Sequence, residues 1–119
     1  MVYRKVQEAV ALLGGMHHFV APGQKILLKP NLVSGRPPDK CVTTHPLVVK
    51  AVARLVIEAG AVPLIGESPQ LGPVKKIVSK CGIEQIAGDP GIDIVEFEPV
   101  QVPYPHGKVF KKFVIGGLG

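Results

Sequence analysis

Apolar positions recur along the chain in two alternating rhythms. Val2, Val6, Ala9, Val10 and Leu13 repeat at helical spacing, and Gly14-Gly15 stops the pattern. This predicts an amphipathic helix with one buried stripe. Pro22-Gly23 marks a turn, and Lys25-Ile26-Leu27-Leu28-Lys29 is a short apolar run that predicts a buried strand, halted by Pro30. Residues 30–44 then form a long polar stretch rich in Pro and Gly. Loops of that length inside a compact domain are usually functional or disordered. A second helix opens at Pro46, whose missing N–H costs nothing in a first turn, with Thr44 or His45 placed to cap it. Val48, Val52, Leu55, Val56 and Ala59 form its expected buried face, Lys50, Arg54 and Glu58 its wet face, and Gly60 its left-handed stop.

Ala61 to Ile65 predicts a second strand. Pro63 cannot donate to a ladder, so an edge position or a late strand start is expected there. Gly66-Glu67-Ser68-Pro69 breaks that strand, and a third helix runs from about Pro73 to Lys80 with Val74, Ile77 and Val78 inward. Ile92 to Phe97 alternates and predicts strand three; Val100 to Ile115 predicts two strands joined at Pro105-His106-Gly107. The order implies an α/β fold: a parallel three-stranded βαβ-type sheet core with flanking helices and a C-terminal β-hairpin, in one domain over residues 1–119. No internal repeat is visible.

Composition refines this. Apolar residues make up 46% but aromatics only 5%, so the core must be built from Val, Ile, Leu and Ala. The 14 glycines and 12 prolines fall between periodic segments and mark turns rather than low complexity. The net charge of +5 suits an anionic partner. Its lysines and arginines are scattered, without the interleaved aromatics of a nucleic-acid surface, so nucleic acid is not expected. Cys41 and Cys81 form no metal motif; Cys41 reads as a loop thiol and Cys81 as a small core residue. Arg4-Lys5 and Glu8 interrupt any leader-like stretch, and no apolar run approaches membrane-spanning length. A cytoplasmic location without membrane contact is the expectation.

Ligands of parallel sheets bind beyond the carboxyl ends of the strands. If strands one and two are neighbours, the segments Lys29-Pro30-Asn31 and Gly66-Glu67-Ser68 open on one rim, with the helix start at Thr43-Thr44-His45-Pro46 beside them. Free N–H groups there, with Thr43, Thr44 and His45, suit an anion. Lys29 adds positive charge, Asn31 an amide, Ser68 a hydroxyl, and Glu67 a carboxylate able to act as base, metal ligand or hydroxyl acceptor. Each has a plainer alternative: Lys29 as a strand-end lysine reaching for water, the Thr–Thr–His run as helix caps, and Glu67-Ser68 as a turn. His17-His18 has no third ligand nearby and reads as a surface turn. The chain carries no GxGxxG after a strand, no GxxxxGK[ST], no HExxH and no GxSxG.

The run Pro22-Gly-Gln-Lys-Ile-Leu-Leu-Lys-Pro-Asn-Leu-Val33, then Thr43-Thr-His-Pro46, Glu58-Ala-Gly-Ala61 and Gly66-Glu-Ser-Pro69, resembles the prokaryotic family called domain of unknown function 362. Gly14-Gly15 and His106-Gly107 also sit where that family has its Gly-Gly pair and turn glycine. The resemblance implies an α/β domain, often joined to a ferredoxin-like segment, so a 4Fe-4S cluster belongs to the full-length context. No CxxCxxC run occurs here, and no cofactor is expected in this chain. The family continues past Gly116-Gly-Leu-Gly119, so the chain is expected to be the N-terminal portion of a longer domain. Three functional readings follow. The first is a half-site gripping a small anionic molecule, with Lys29, Asn31, Thr43, Thr44, His45 and Ser68 as ligand-binding residues and Glu67 as the catalytic candidate. The second is a redox-linked accessory module docking an iron–sulfur protein; the third is an inactive structural fragment. An uncovered edge at the tail further predicts a homodimer.

Overall fold

A computed structural model describes residues 1–68 and 73–117; Pro69 of the Gly66–Pro69 stretch and the final Leu118-Gly119 lie outside the described residues. The elements are α1 (Val2–Ala11), β1 (Lys25–Leu28), α2 (Pro46–Glu58), β2 (Val62–Gly66), α3 (Val74–Lys80), β3 (Asp93–Val95), β4 (Glu98–Pro103) and β5 (Lys112–Gly117). Single 3-10 turns occupy Met16–His18, Pro38–Lys40 and Glu84–Ile86. The architecture is the expected mixed α/β one: β1, β2 and β3 form a parallel sheet in that order, and β4 pairs with β5 as an antiparallel hairpin. Among the described residues, no helix is long and apolar enough to cross a membrane.

The order places β2 in the centre, so Pro63 is not on an edge strand. Register explains how it is tolerated. The Val62 N–H donates to the Gln24 carbonyl, 2.8 Å away on the β1 side. Successive backbone groups of a strand point to opposite neighbours, so the Pro63 nitrogen faces the β3 side. There the ladder begins only at Leu64↔Asp93, and no bond is missing. Strand three is shorter than the alternation of Ile92–Phe97 predicts, ending at Val95.

Both crossover helices pack on one face of the sheet. Val49 and Ala53 of α2, Ile77 and Val78 of α3, and Ile65 of β2 belong to a single buried cluster with Leu32, Ile83 and Ile92. A second cluster of Val20, Val56, Ala59 and Ala61 closes the other end of α2. Phe97 and Val95 lie against Gly66 at one end of the opposite sheet face, and the rest of it has no layer over it among the described residues: Leu27 is 38% and Val62 41% exposed. Parallel sheets normally bury both faces, so this is a one-sided core.

The outer helix departs from expectation. No residue of α1 is buried. Its stripe of Val2, Val6, Ala9, Val10 and Leu13 instead lines a shallow apolar groove shared with Val48. Among the described residues α2 is the element it chiefly rests on. Tyr3 bridges the two helices, its ring 5.0 Å from the Arg54 guanidinium carbon and its hydroxyl donating to Glu58. The inward arc of α2 is correspondingly rotated: Val49, Ala51 and Ala53 are buried, whereas Val48 is exposed.

A one-sided sheet predicts unequal costs for its two faces. Ile65→Ala, at a fully buried position, is expected to lower unfolding free energy by about 2–5 kcal/mol. Leu27→Ala on the open face should lower it by less, about 1–2 kcal/mol, because the side chain already partly meets water. Urea denaturation of the two variants checks this; equal losses would mean that the second face is covered.

Candidate functional site

β1 and β2 run side by side in parallel, so their carboxyl ends share a rim. Lys29 follows the last residue of one and Glu67 the last residue of the other. The Lys29 Nζ lies 2.7 Å from Glu67 Oε1 and 2.8 Å from Oε2, a two-oxygen grip on one ammonium. The partners are unequal in surroundings: the Lys29 side chain is 61% exposed and that of Glu67 only 8%. Glu67 is the buried charged residue of the described core.

A buried carboxylate must be paired and hydrogen-bonded. The Ser68 N–H donates to Glu67 Oε1 at 2.8 Å. Burial, the largest single influence, pushes the Glu67 carboxyl upward. It is outweighed by the hydrogen bond from Lys29, the Ser68 N–H, the charge of Lys29 and the Leu32 N–H, so the group is held below its ordinary value. Glu67 is therefore ionised at neutral pH, a firm acceptor and a weak base.

The long connection between β1 and α2 is stitched at both ends. The Asn31 N–H donates to Thr44 Oγ1 at 3.1 Å, and the Thr44 N–H returns to the Asn31 carbonyl at 3.2 Å. Thr44 thus fastens the loop, and the cap falls to His45, whose Nδ1 accepts from the Leu47 N–H at 3.2 Å. The Val48 and Val49 N–H groups both reach the His45 carbonyl, and Pro46 has none. The α2 N-terminus accordingly spends its donors internally. Within the loop, Cys41 takes a left-handed φ of 53° after the 3-10 turn. Both cysteines are free thiols, Cys41 exposed and Cys81 buried.

Between β1 and α2 lies a cavity of about 240 Å³ whose polar residues are Lys29 and Thr44. Leu28, Pro30, Val48 and Val52 supply apolar walls. Direct contacts join Lys29, Glu67 and Ser68, and separately Asn31 and Thr44; the cavity brings Lys29 and Thr44 onto one opening. Thr43 and His45 flank Thr44 in the chain without lining that cavity. Three residues have roles not anticipated from sequence. Leu32 is 1% exposed and anchors the loop in the core, and its N–H helps to lower the Glu67 carboxyl; the apolar Leu32-Val33 pair amid Pro, Asn, Ser and Gly was its signal. Val48 and Val52, expected in the core, are cavity wall. Among the described residues no three His, Cys, Asp or Glu side chains converge as a metal centre would require.

A family model described as "Domain of unknown function (DUF362)" matches residues 26–118. A thylakoid-associated protein of Synechocystis sp. is 46% identical over 85 residues, which cover 71% of this chain and 26% of that protein. The chain therefore spans about a quarter of that relative's length. No solved structure matches it.

The ion pair predicts a definite acid response. Because the Glu67 carboxyl is lowered in the folded state, its contribution to stability is complete above the ordinary carboxylate value. It fades as pH falls through the lower folded value. Lys29→Met should cost about 1–3 kcal/mol at pH 7, since it strands a buried charge, with water near the exposed lysine side keeping the loss below that of a deeply buried pair. It should also move the acid unfolding midpoint to higher pH. Glu67→Gln should flatten stability between about pH 5 and 3, a range bracketing the unperturbed carboxyl. Chemical denaturation across pH tests both; an unchanged profile in Glu67→Gln would refute the assignment.

Proposed function

The chain belongs to the DUF362 family, a domain of unknown function, and on that premise we propose that its rim binds a small anion carrying an apolar body. One observation carries this reading: an exposed ammonium, fixed by a buried carboxylate, at the mouth of an otherwise mainly apolar cavity of about 240 Å³. A lysine ammonium has three N–H donors. Glu67 engages its two oxygens with that ammonium, which leaves a donor for a ligand oxygen. Leu28, Val48 and Val52 offer apolar contact to the rest of the ligand. The volume lies below the range of drug-sized sites, so the ligand is a short one. Thr44 adds a hydroxyl at the opening, and Asn31 and Ser68 stand exposed beside it.

In this reading Glu67 positions Lys29 and accepts a ligand hydroxyl, rather than acting as base. Its low proton affinity suits a permanent acceptor better than a group that must take up a proton at neutral pH. The helix terminus plays a lesser part than the free-donor picture suggests, because His45 already caps it.

On location, the relative's name places that protein at thylakoids. By likeness to that relative, association with a membrane system is preferred for this chain to free diffusion in the cytoplasm.

Thermal unfolding with millimolar short-chain carboxylates, straight and branched, and with inorganic phosphate tests the ligand class. A ligand at 100 times its Kd stabilises by about 2.7 kcal/mol. Branched carboxylates should raise Tm most, and Val48→Phe, which fills the cavity from an exposed position, should abolish the rise while the variant stays folded by circular dichroism. No rise with any carboxylate, or an undiminished rise in Val48→Phe, would overturn the proposal.

A further inference from the structure

The β4–β5 hairpin is the part of the fold with the least explanation. An isolated two-stranded hairpin is marginal in water. Here every residue of β4 is exposed, as is β5 up to Gly116. The register sorts its side chains into two faces. One face holds the rows Glu98 with Gly117, Val100 with Ile115, and Val102 with Phe113. A further row follows at the turn end, where the Tyr104 N–H bonds the Lys111 carbonyl. The apolar members are 38–51% exposed. Phe113 lies 5.7 Å from the Tyr104 ring and 6.0 Å from that of Phe110, so the aromatics extend this strip toward the turn.

Charge along the face is polarised. Between residues 98 and 117 the single carboxylate is Glu98, at the base. Lys108 and Lys111 lie at the turn end, where the Lys111 Nζ also donates to the Pro105 and Gly107 carbonyls, whereas Lys112 pairs with Pro103 and faces the other way. Reading along the face gives acid, apolar, apolar, then aromatic with cation. That order is self-complementary. Turned end for end against a second copy, the Glu98 row meets the Tyr104–Lys111 row, and the Val100–Ile115 row meets the Val102–Phe113 row. A two-fold axis between the middle rows makes the contact isologous and closed.

We propose that this hairpin face is the contact through which two copies of the chain form an antiparallel dimer. The two hairpins stack face to face, as sheets do in a sandwich, with the lysine end of each over Glu98 of the other. Six residues per strand and two strands give a patch of about 20 Å by 10 Å. That is far below the roughly 800 Å² per partner of a standard interface, so the dimer is a weak one, with a Kd well above those of standard complexes. The contact goes beyond the ligand reading and uses none of its residues.

Light scattering on the whole chain, from about 1 μM to 500 μM, tests the proposal across the range that such a Kd implies. The mass should rise from 12.6 kDa toward twice that value and stop. Phe113→Glu, at an exposed hairpin position, should hold the chain monomeric throughout while its circular dichroism stays that of the parent. Glu98→Lys should weaken dimerisation at least tenfold, because it sets like charges together at both ends. A monomer at every concentration, growth beyond a dimer, or a dimer that survives Phe113→Glu would each overturn the interface. A dimer indifferent to Glu98→Lys would overturn the antiparallel arrangement.

Discussion

The buried carboxylate of Glu67 constrains the rest of the site. A charge beneath a loop at the end of a central strand cannot be left alone. The fold answers with a cation from the neighbouring strand and the N–H of Ser68, and the Leu32 N–H helps to hold the carboxyl low. Those partners come from three separate segments: the end of β1, the loop after it and the end of β2. One side chain thus fixes where the strands stop and where the loop first touches the core. Leu32 anchors the loop beside that charge, its side chain buried in the cluster with Val49 and Ile65. The second stitch, Asn31 to Thr44, then delivers the chain to α2 at His45.

Strand order carries the second consequence. With β2 between β1 and β3, successive crossovers of one hand put both helices on the same side. That builds one well-packed layer and leaves the reverse face, including Leu27, Val62 and the half-buried Leu64, without a second. Gly66 sits on that reverse face, where an added Cβ would lie 2.8 Å from Val95 Cγ2 and 3.1 Å from Phe97 Cε1. Phe97 also meets Gly116, so the small residues at both places let one aromatic ring link the sheet to the base of the hairpin.

Much of this was legible in the sequence because it follows from spacing. The alternation of helical and strand rhythms gives the parallel sheet, and neighbouring parallel strands bring Lys29 and Glu67 to one rim before any coordinate is known. What was not legible depends on partners. Pro63 advertises a defect, but its cost depends on where β3 starts pairing, which is a matter of register. Thr44 and His45 are both acceptable caps; the choice is made by Asn31, which claims the threonine. The apolar stripe of α1 is evident, yet periodicity reports only that a face is apolar. It cannot say that α2 covers just part of it, or that Val48 will line a groove and a cavity rather than the core.

The same electrostatics narrows what the rim can do. A carboxylate that holds a fixed lysine is committed to its charge: protonating it removes an ion pair and leaves the Ser68 N–H aimed at a neutral oxygen. Proton traffic through Glu67 would therefore loosen the loop on every cycle, whereas ligand binding need disturb nothing. Lys29 keeps its hydrogen bond to Glu67 Oε2 and its close ion-pair contact with Oε1, and presents what remains to the opening. The pair is neutral as a unit, so attraction for an anion is short-ranged and comes from direct hydrogen bonding more than from a distant field. Selectivity then falls to shape. A highly charged ligand would find one ammonium already shared with a carboxylate, while a singly charged one with an apolar flank gains at Lys29 and again along Leu28, Val48 and Val52.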